Sequence, residues 1–122
     1  MKRILIIDDN SSFRKMLKVA LKKDDYEIEE ASDAVIGCDL YFQNLHDLII
    51  MDLFLPEKDG IQAIHEIKEE CTDVKIIAVS GASSVGRTNI LLDRAHEHGA
   101  DIEMKKPVKI KELLSNVEKL LI

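Results

Sequence analysis

Short apolar runs alternate along the chain with longer segments in which apolar residues recur at helical spacing. Residues 4–7, 48–51 and 75–79 are almost uniformly apolar and too short for helices, which is typical of strands buried on both faces of a sheet. Residues 26–30 and 100–104 predict two weaker strands, and Ile28 is predicted to face inward. The pattern therefore predicts five strands.

Five segments with apolar residues every three or four positions predict helices between and after these strands. Their apolar positions are Phe13, Met16, Leu17, Ala20 and Leu21; Val35, Cys38, Phe42 and Leu45; Ile61, Ile64, Ile67 and Cys71; Ile90, Leu91, Leu92 and Ala95; and Ile110, Leu113, Leu114, Val117 and Leu120. Basic residues predicted to face solvent on the first helix are Arg14, Lys15, Lys18 and Lys22. Gly99 is predicted to end the fourth helix. This alternation indicates an α/β fold with a parallel sheet covered on both faces.

Composition narrows the class of protein. With 122 residues, of which 46% are hydrophobic and 33% charged, the chain is expected to form one globular domain over 1–122. A formal net charge of −6 without a basic run argues against nucleic acid as a direct partner. No apolar stretch approaches the roughly 20 residues of a membrane span, and no signal-peptide core follows the first residues. We therefore expect a cytoplasmic chain that contacts no membrane.

The cysteines and histidines carry no predicted chemistry. Cys38 and Cys71 fall on the apolar faces of predicted helices and are expected to be free thiols in a reducing compartment. A zinc site is not expected, because neither has a second thiol or a histidine at ligand spacing. The four histidines are expected to be ordinary surface residues: His46, His65, His96 and His98. The last two, two positions apart on a helix, should not share a face.

Polar residues follow four of the predicted strands. They are Asp8 with Asp9, Asp52, Ser80 and Lys106. Taken alone, Asp52 could equally well be a ligand-binding residue at the edge of the sheet or an acid that merely ends the strand or caps the next helix. However, the carboxyl ends of parallel strands share one edge of a sheet, so these side chains are placed to converge on one pocket.

Three neighbouring carboxylates would repel one another unless a cation lay among them. A hard divalent ion with oxygen ligands, Mg²⁺ ahead of Ca²⁺, suits an open and partly hydrated site of this kind. The lysine and the hydroxyl then remain for an anion beside the metal. The set as a whole indicates a phosphoryl-transfer site in which Asp52 is the nucleophile.

In this order and spacing, the residues resemble the receiver domains of two-component response regulators over the whole chain. Residues 4–9 resemble the first strand and acidic pair of that family, and 51–60 resemble its phosphoacceptor strand with the following Pro and Gly turn. Ser80 after Val79 matches the hydroxyl position. Lys106 before Pro107 matches the lysine that precedes a usually cis proline.

The resemblance implies a flavodoxin-like fold with strand order 2-1-3-4-5. It implies that Asp52 accepts a phosphoryl group from a sensor histidine kinase or a histidine phosphotransfer protein. It further implies that Asp9, Asp52 and the backbone carbonyl of Phe54 ligate Mg²⁺, with Mn²⁺ as the second choice, and that Asp8 acts through water. Beyond its own phosphorylation and dephosphorylation, such a domain is not an enzyme.

The resemblance also implies how the domain responds to phosphorylation. Ser80 and Lys106 would bind the phosphoryl oxygens and draw the loop after Ser80 inward. The added charge would bias a two-state surface built from the fourth helix, fifth strand and fifth helix. The expected readout is contact with an unknown downstream protein, by a monomer or by a phosphorylation-dependent dimer.

Two positions depart from the family pattern. Glu103 stands where the family usually has Tyr or Phe, so the usual aromatic coupling is in doubt; we expect Glu103 to stay outward and pair with Arg87 or Lys105. The segment between Ser80 and Lys106 looks a few residues longer than usual, and the insertion is placed at 83–88.

The side chains that flank the pocket in this family tune the lifetime of the phosphoryl group. Here they are Phe54 and Ala82, neither of which orients a hydrolytic water, so slow autodephosphorylation is predicted.

A stand-alone receiver is expected, without an effector tail because the chain ends at Ile122, and two alternatives to it remain. One is a phosphorylation-independent interaction module with a vestigial pocket; Glu103 favours it, and the intact acids and lysine oppose it. The other is a small aspartate-dependent phosphatase. Such enzymes require Asp two positions after the first acid, and here Asn10 follows Asp8.

Overall fold

The computed structural model describes residues 1–22, 25–55, 59–81 and 88–122. Strands and helices alternate along these residues. Their bounds are β1 Arg3–Ile7, α1 Ser11–Lys22, β2 Glu27–Ala31, α2 Ala34–Asn44, β3 Leu48–Asp52, α3 Gly60–Glu70, β4 Lys75–Ser80, α4 Thr88–His98, β5 Ile102–Lys105 and α5 Ile110–Leu120. Every predicted strand and helix is found.

The strands form one parallel sheet in the order β2-β1-β3-β4-β5, which confirms the order expected from the resemblance. β3 lies at the centre, and its five residues are all buried. The register pairs Ile7 with Met51, Asp52 with Val79, and Ser80 with Lys105. The strands that carry the candidate site therefore end side by side at the same edge.

Helices cover both faces of the sheet, and a separate apolar core lies under each layer. α1 and α5 pack on one face through Leu17, Leu21, Leu113 and Val117. α2, α3 and α4 pack on the other, where the buried helical residues include Cys38, Ile64, Ile67 and Ala95. This arrangement explains why the central strands have uniformly apolar sequences, since both of their faces are removed from water.

The predicted buried face of α2 is wrong except at Cys38. Val35, Phe42 and Leu45 are 48%, 44% and 59% exposed. The buried residues of the helix are Ala34, Gly37, Cys38 and Tyr41. α2 approaches β1 so closely that a Cβ at position 37 would overlap the side chain of Ile7, so glycine is favoured at this position of the inner face.

Two expectations for α1 are also wrong. Met16 is 40% exposed instead of buried. Arg14 does not face solvent: its side chain is 17% exposed and its Nε lies 3.1 Å from Oε1 of Glu30 on β2. For Arg14 the cause is β2, whose Glu30 side chain pairs with the guanidinium and holds it against the sheet.

The histidines do not behave alike. His46 is 3% exposed, contrary to expectation, and its Nε2 lies 2.7 Å from Oε1 of Glu29. His96 and His98 point in different directions, as predicted, because the first contacts Glu103 and the second contacts His65. Cys38 and Cys71 form no disulfide, as expected.

The end of α4 agrees with its prediction. Gly99 has a φ of 123°, a conformation that side-chain-bearing residues rarely adopt, and it follows the helix directly. Leu92 and Ala95 are buried as expected, whereas the side chains of Ile90 and Leu91 lie outside the described part of the chain. None of the helices described combines the length and the apolar character needed to cross a bilayer.

Candidate functional site

The polar residues predicted to converge lie at the carboxyl edge of the sheet. Asp52 ends β3 beside Val79, and Asp8 directly follows Ile7, which pairs with Met51. Carboxylate oxygens of Asp8, Asp9 and Asp52 all lie within 4.8 Å of one another. Parallel register alone therefore brings together acids that are more than 40 positions apart in the sequence.

Lys106 reaches this cluster from the end of β5. Its Nζ lies 2.8 Å from Oδ2 of Asp8 and 3.8 Å from Oδ2 of Asp52. The same ammonium stands 4.2 Å from the centroid of the Phe13 ring, a cation–π contact that favours this position. The peptide bond between Lys106 and Pro107 is cis, as the resemblance implied.

Asp8 is held by the first turn of α1 as well as by Lys106. Its Oδ1 accepts a hydrogen bond from the backbone N–H of Asn10 at 2.8 Å, and its carbonyl oxygen accepts one from Nη1 of Arg14 at 2.7 Å. Arg14 was missed from the sequence because helical periodicity placed it on the polar face. The carboxylate of Asp8 is almost completely buried, whereas that of Asp9 is exposed.

Asp52 is buried, with 5% of its surface exposed, and its carboxylate is oriented by the backbone. Its Oδ1 accepts a hydrogen bond from the N–H of Phe54 at 3.0 Å. Burial, together with the negative charge of Asp8, raises the pKa of Asp52 to about 6, although the Phe54 N–H and Lys106 act in the opposite direction. The ionised carboxylate is thus less stable here than in water.

The first residue of α3, Gly60, lies directly against the end of β3. An ideal Cβ at this position would lie 2.5 Å from the carbonyl oxygen of Asp52 and 2.8 Å from Cα of Leu53. Asp59 caps the helix by accepting the N–H of Ile61 at 2.8 Å. Close approach of the helix to the end of β3 therefore requires glycine, as the turn motif indicated. Pro56, the other turn residue, lies outside the described residues.

The donor set fits a hard divalent cation. Among the described residues, three carboxylates face a single ammonium, so these groups carry an excess of two negative charges when all are ionised. Burial is the main cause of the raised pKa of Asp52, and repulsion from the neighbouring acids adds to it. All the donors are oxygens and Asp9 is open to water, which suits Mg²⁺ because this ion retains several waters when it binds.

The remaining predicted residues are placed as follows. Ser80 is completely buried at the end of β4, and its carbonyl oxygen accepts the N–H of Lys106 at 2.8 Å. The ring of Phe54 is at the surface, with the residue 44% exposed. Ala82 and the insertion predicted at 83–88 lie outside the described residues.

Glu103 has a partner that the sequence did not suggest. Its Oε2 lies 3.3 Å from Nδ1 of His96 on α4, and its side chain is 26% exposed. Of the two partners expected, Arg87 is outside the described part of the chain. Cross-element neighbours such as β5 and α4 are set by packing and cannot be read from local spacing.

Comparison with known proteins identifies the family. A model of the response regulator receiver domain matches residues 4–118. Response regulator MprA of Mycobacterium sp. (strain KMS) is 31% identical over 119 residues, covering 98% of this chain and 50% of MprA. Transcriptional regulatory protein SrrA of Staphylococcus aureus (strain COL) is 33% identical over 118 residues, covering 97% of this chain and 47% of SrrA. The chain therefore spans about half the length of the curated relatives that it matches.

Solved structures agree with this result. The crystal structure of a CheY-like response regulator receiver domain protein from Methanospirillum hungatei JF-1 matches with a TM-score of 0.89 and 30% identity, covering 98% of this chain and 94% of that one. The receiver domain of NtrX from Brucella abortus matches with a TM-score of 0.88 and 25% identity, covering 97% of each chain. With its flavodoxin-like sheet and acidic edge, this chain belongs to the response regulator receiver domain family of two-component signalling.

Proposed function

We propose that this chain is a phosphoacceptor receiver that takes a phosphoryl group onto Asp52 from a phosphohistidine. The donor is a sensor histidine kinase or a histidine phosphotransfer protein. The observation that carries the proposal is the position of Asp52: a buried carboxylate, with a pKa raised to about 6, within 3.8 Å of the only ammonium that enters the cluster among the described residues. An aspartate that only ended a strand would not need to be buried beside a lysine with its pKa raised.

The contacts of Asp52 indicate which oxygen reacts. Oδ1 is held by the N–H of Phe54, whereas Oδ2 is the oxygen nearer to Lys106. In the transfer, Oδ2 forms a bond to phosphorus while the phosphorus–nitrogen bond breaks, and the imidazole nitrogen of the donor keeps the electron pair. Although the pKa of Asp52 is raised to about 6, it still lies below neutral pH, so the carboxylate is mostly ionised there and the nucleophile needs no base.

Lys106 is placed to change partner as the phosphoryl group arrives. It now pairs with Asp8, and the aspartyl phosphate would carry about two negative charges where the Asp52 carboxylate carries one. Movement of Nζ toward the new charge follows from Coulomb attraction at short range. Ser80, which ends the neighbouring strand, supplies the second group for the phosphoryl oxygens.

The acidic cluster supplies the ligands for Mg²⁺. Asp9, Asp52 and the backbone carbonyl of Phe54 would hold the ion directly, and Asp8 would act largely through water. When bound, the ion neutralises charge on the transferring phosphoryl group and on the acids. The three carboxylate donors within 4.8 Å support this ligand set.

The signal leaves by protein contact from the surface of α4, β5 and α5. The pair between Glu103 and His96 joins two of these elements at 3.3 Å and takes the place of the usual aromatic switch. We propose that residues 1–122 act as one cytoplasmic receiver domain, as a monomer or a phosphorylation-dependent dimer, without direct contact to nucleic acid and without enzymatic activity beyond its own phosphorylation and dephosphorylation.

Incorporation of acid-labile phosphate from a small-molecule phosphodonor tests the central assignment. Wild type should be labelled with Mg²⁺ and not in excess chelator, and Asp52→Asn should abolish labelling. Asp39→Asn, which removes an exposed carboxylate of α2, is the matched control and should be labelled like wild type. Labelling of Asp52→Asn at the wild-type level would contradict the proposal.

A further inference from the structure

Two histidines from different helices meet at the surface, away from the acidic cluster. His65 lies on α3 and His98 ends α4, and their Nδ1 atoms are 3.4 Å apart. The two rings are perpendicular, with an interplanar angle of 89° and centroids separated by 5.3 Å. Nothing in the proposed phosphotransfer uses either residue.

From this geometry we propose that His65 and His98 form a binding site for a transition-metal ion, Zn²⁺ or Cu²⁺, that bridges α3 and α4. Two nitrogens that bind one zinc ion tetrahedrally, each at about 2.05 Å, lie about 3.3 Å apart. With the ion in the plane of each ring, the ring centroids would then lie about 5.2 Å apart. Both values agree with the observed 3.4 Å and 5.3 Å.

A hydrogen bond between the two rings accounts for the contact less well. Such bonds are usually about 2.7–3.2 Å long when nitrogen is the donor, so a separation of 3.4 Å is long for one. The same distance is suitable for two Nδ1 atoms that bind one metal ion through their lone pairs. Imidazole is also the ligand that zinc, copper and nickel favour, whereas Mg²⁺ favours the carboxylates of the other site.

Glu69 prepares His65 to act as a ligand. Nε2 of His65 lies 2.9 Å from Oε1 of Glu69, one helical turn further along α3. Because a carboxylate accepts the Nε2 proton, the lone pair of His65 is directed through Nδ1 toward His98. Metal-bound histidines commonly donate their other N–H to a carboxylate in this way.

The surroundings also suit a cation. His65 has a side chain 51% exposed, so water can complete the coordination sphere. Lys68, the basic residue of α3 on this side, directs its ammonium away, to the carbonyl oxygen of Val74 at 2.6 Å and to Asp101 at 3.3 Å. A bound ion would thus tie the end of α4 to α3, and α4 belongs to the surface through which the receiver is proposed to signal.

Titration with Zn²⁺, followed by calorimetry, tests the site. Excess Mg²⁺ is present so that the acidic cluster is occupied. Wild type should bind one zinc ion and should unfold at a higher temperature in its presence. His65→Asn and His98→Asn should each weaken binding by tenfold or more and remove the thermal shift, and Glu69→Gln should weaken binding about tenfold.

His96→Asn is the matched control, because it removes an exposed histidine from the same helix turn without touching His65. Zinc binding by this variant, and by Asp52→Asn, should equal that of wild type. Equal zinc affinity of wild type and the His65→Asn, His98→Asn double variant would overturn the proposal. Loss of zinc binding in Asp52→Asn alone would assign it to the acidic cluster instead, and the outcome for phosphorylation is independent of either result.

Discussion

The ammonium of Lys106 and the carboxylate of Asp8 form an ion pair of 2.8 Å between residues 98 positions apart in the sequence. The Asp8 side chain is 2% exposed, so its charge has little contact with water. The lysine therefore has a role before any phosphoryl group arrives: it compensates a buried negative charge. The same contact keeps its Nζ within 3.8 Å of Asp52, next to the place where the new charge would develop.

Lys106→Ala should lower the free energy of unfolding by about 3 kcal/mol at neutral pH, because it leaves a buried carboxylate without a counter-charge. Urea denaturation without divalent ions would measure the change. Mg²⁺ should restore part of the loss, since a bound cation replaces the missing charge. Lys105→Ala, in which an exposed neighbouring lysine is removed, should differ little from wild type. Equal losses in the two variants would refute a specific role for the pair.

Asp52→Asn should stabilise the protein at pH 7.5. The pKa of Asp52 is 3.8 in the unfolded chain and about 6 in the fold, so folding favours the protonated form. The contribution of Asp52 to the free energy of unfolding is therefore fully present below about pH 4, where the group is protonated, and is lost as the pH rises through 6. A shift of this size corresponds to about 3 kcal/mol, which the amide should recover.

Urea denaturation of both proteins between pH 4 and pH 8 in chelator checks this expectation. The difference in unfolding free energy should be largest at pH 7.5 and should vanish near pH 4. Saturating Mg²⁺ should reduce it, because the ion stabilises the ionised carboxylate of the wild type alone. A difference that did not depend on pH would show that the charge of Asp52 is not its cause.

Gly60→Ala should destabilise the fold by about 2 kcal/mol even though alanine favours helices, because the new Cβ would stand 2.5 Å from the carbonyl oxygen of Asp52. Relief of this overlap requires α3 or the end of β3 to shift, so phosphorylation should slow as well. Thermal unfolding and the labelling rate measure the two effects. Gln62→Ala, at an exposed position of the same helix, should leave both unchanged.

The aspartyl phosphate should persist for minutes or longer, because Phe54 offers no group to orient an attacking water. Phe54→Asn should shorten its lifetime several-fold by supplying an amide. Phe42→Asn is a close control, since both phenylalanines are 44% exposed and Phe42 lies on α2 away from the site. Loss of label from wild type within seconds, after removal of the phosphodonor, would be the contrary result.

Glu103→Tyr should enlarge the response of α4 and β5 to phosphorylation. An aromatic ring enters an apolar pocket readily, whereas a carboxylate resists losing its water, and that of Glu103 is paired with His96. Chemical-shift changes on phosphorylation would report the response. His96→Asn removes the contact between His96 and Glu103 without placing an aromatic ring at position 103. It therefore separates the effect of losing the contact from the effect of the ring. An unchanged response in Glu103→Tyr would mean that position 103 has no switching role.

The amino-acid sequence alone determined the elements and the chemistry of the site. A strand buried on both faces has to be apolar throughout, so residues 48–51 were recognisable without neighbours. Polar residues placed directly after such strands converge because parallel register aligns the strand ends. Asp8, Asp52 and Lys106 could therefore be predicted to meet from their positions after the strands.

Only the tertiary structure decided which contacts form between elements. The inner face of α2 depends on how closely it approaches Ile7, and close approach selected Gly37 over the larger Val35 and Phe42. The burial of His46 and the meeting of His65 with His98 likewise depend on distances between separate helices and strands. The spacing of apolar residues shows which side of a helix or strand faces the core. It does not show which other element packs against that side.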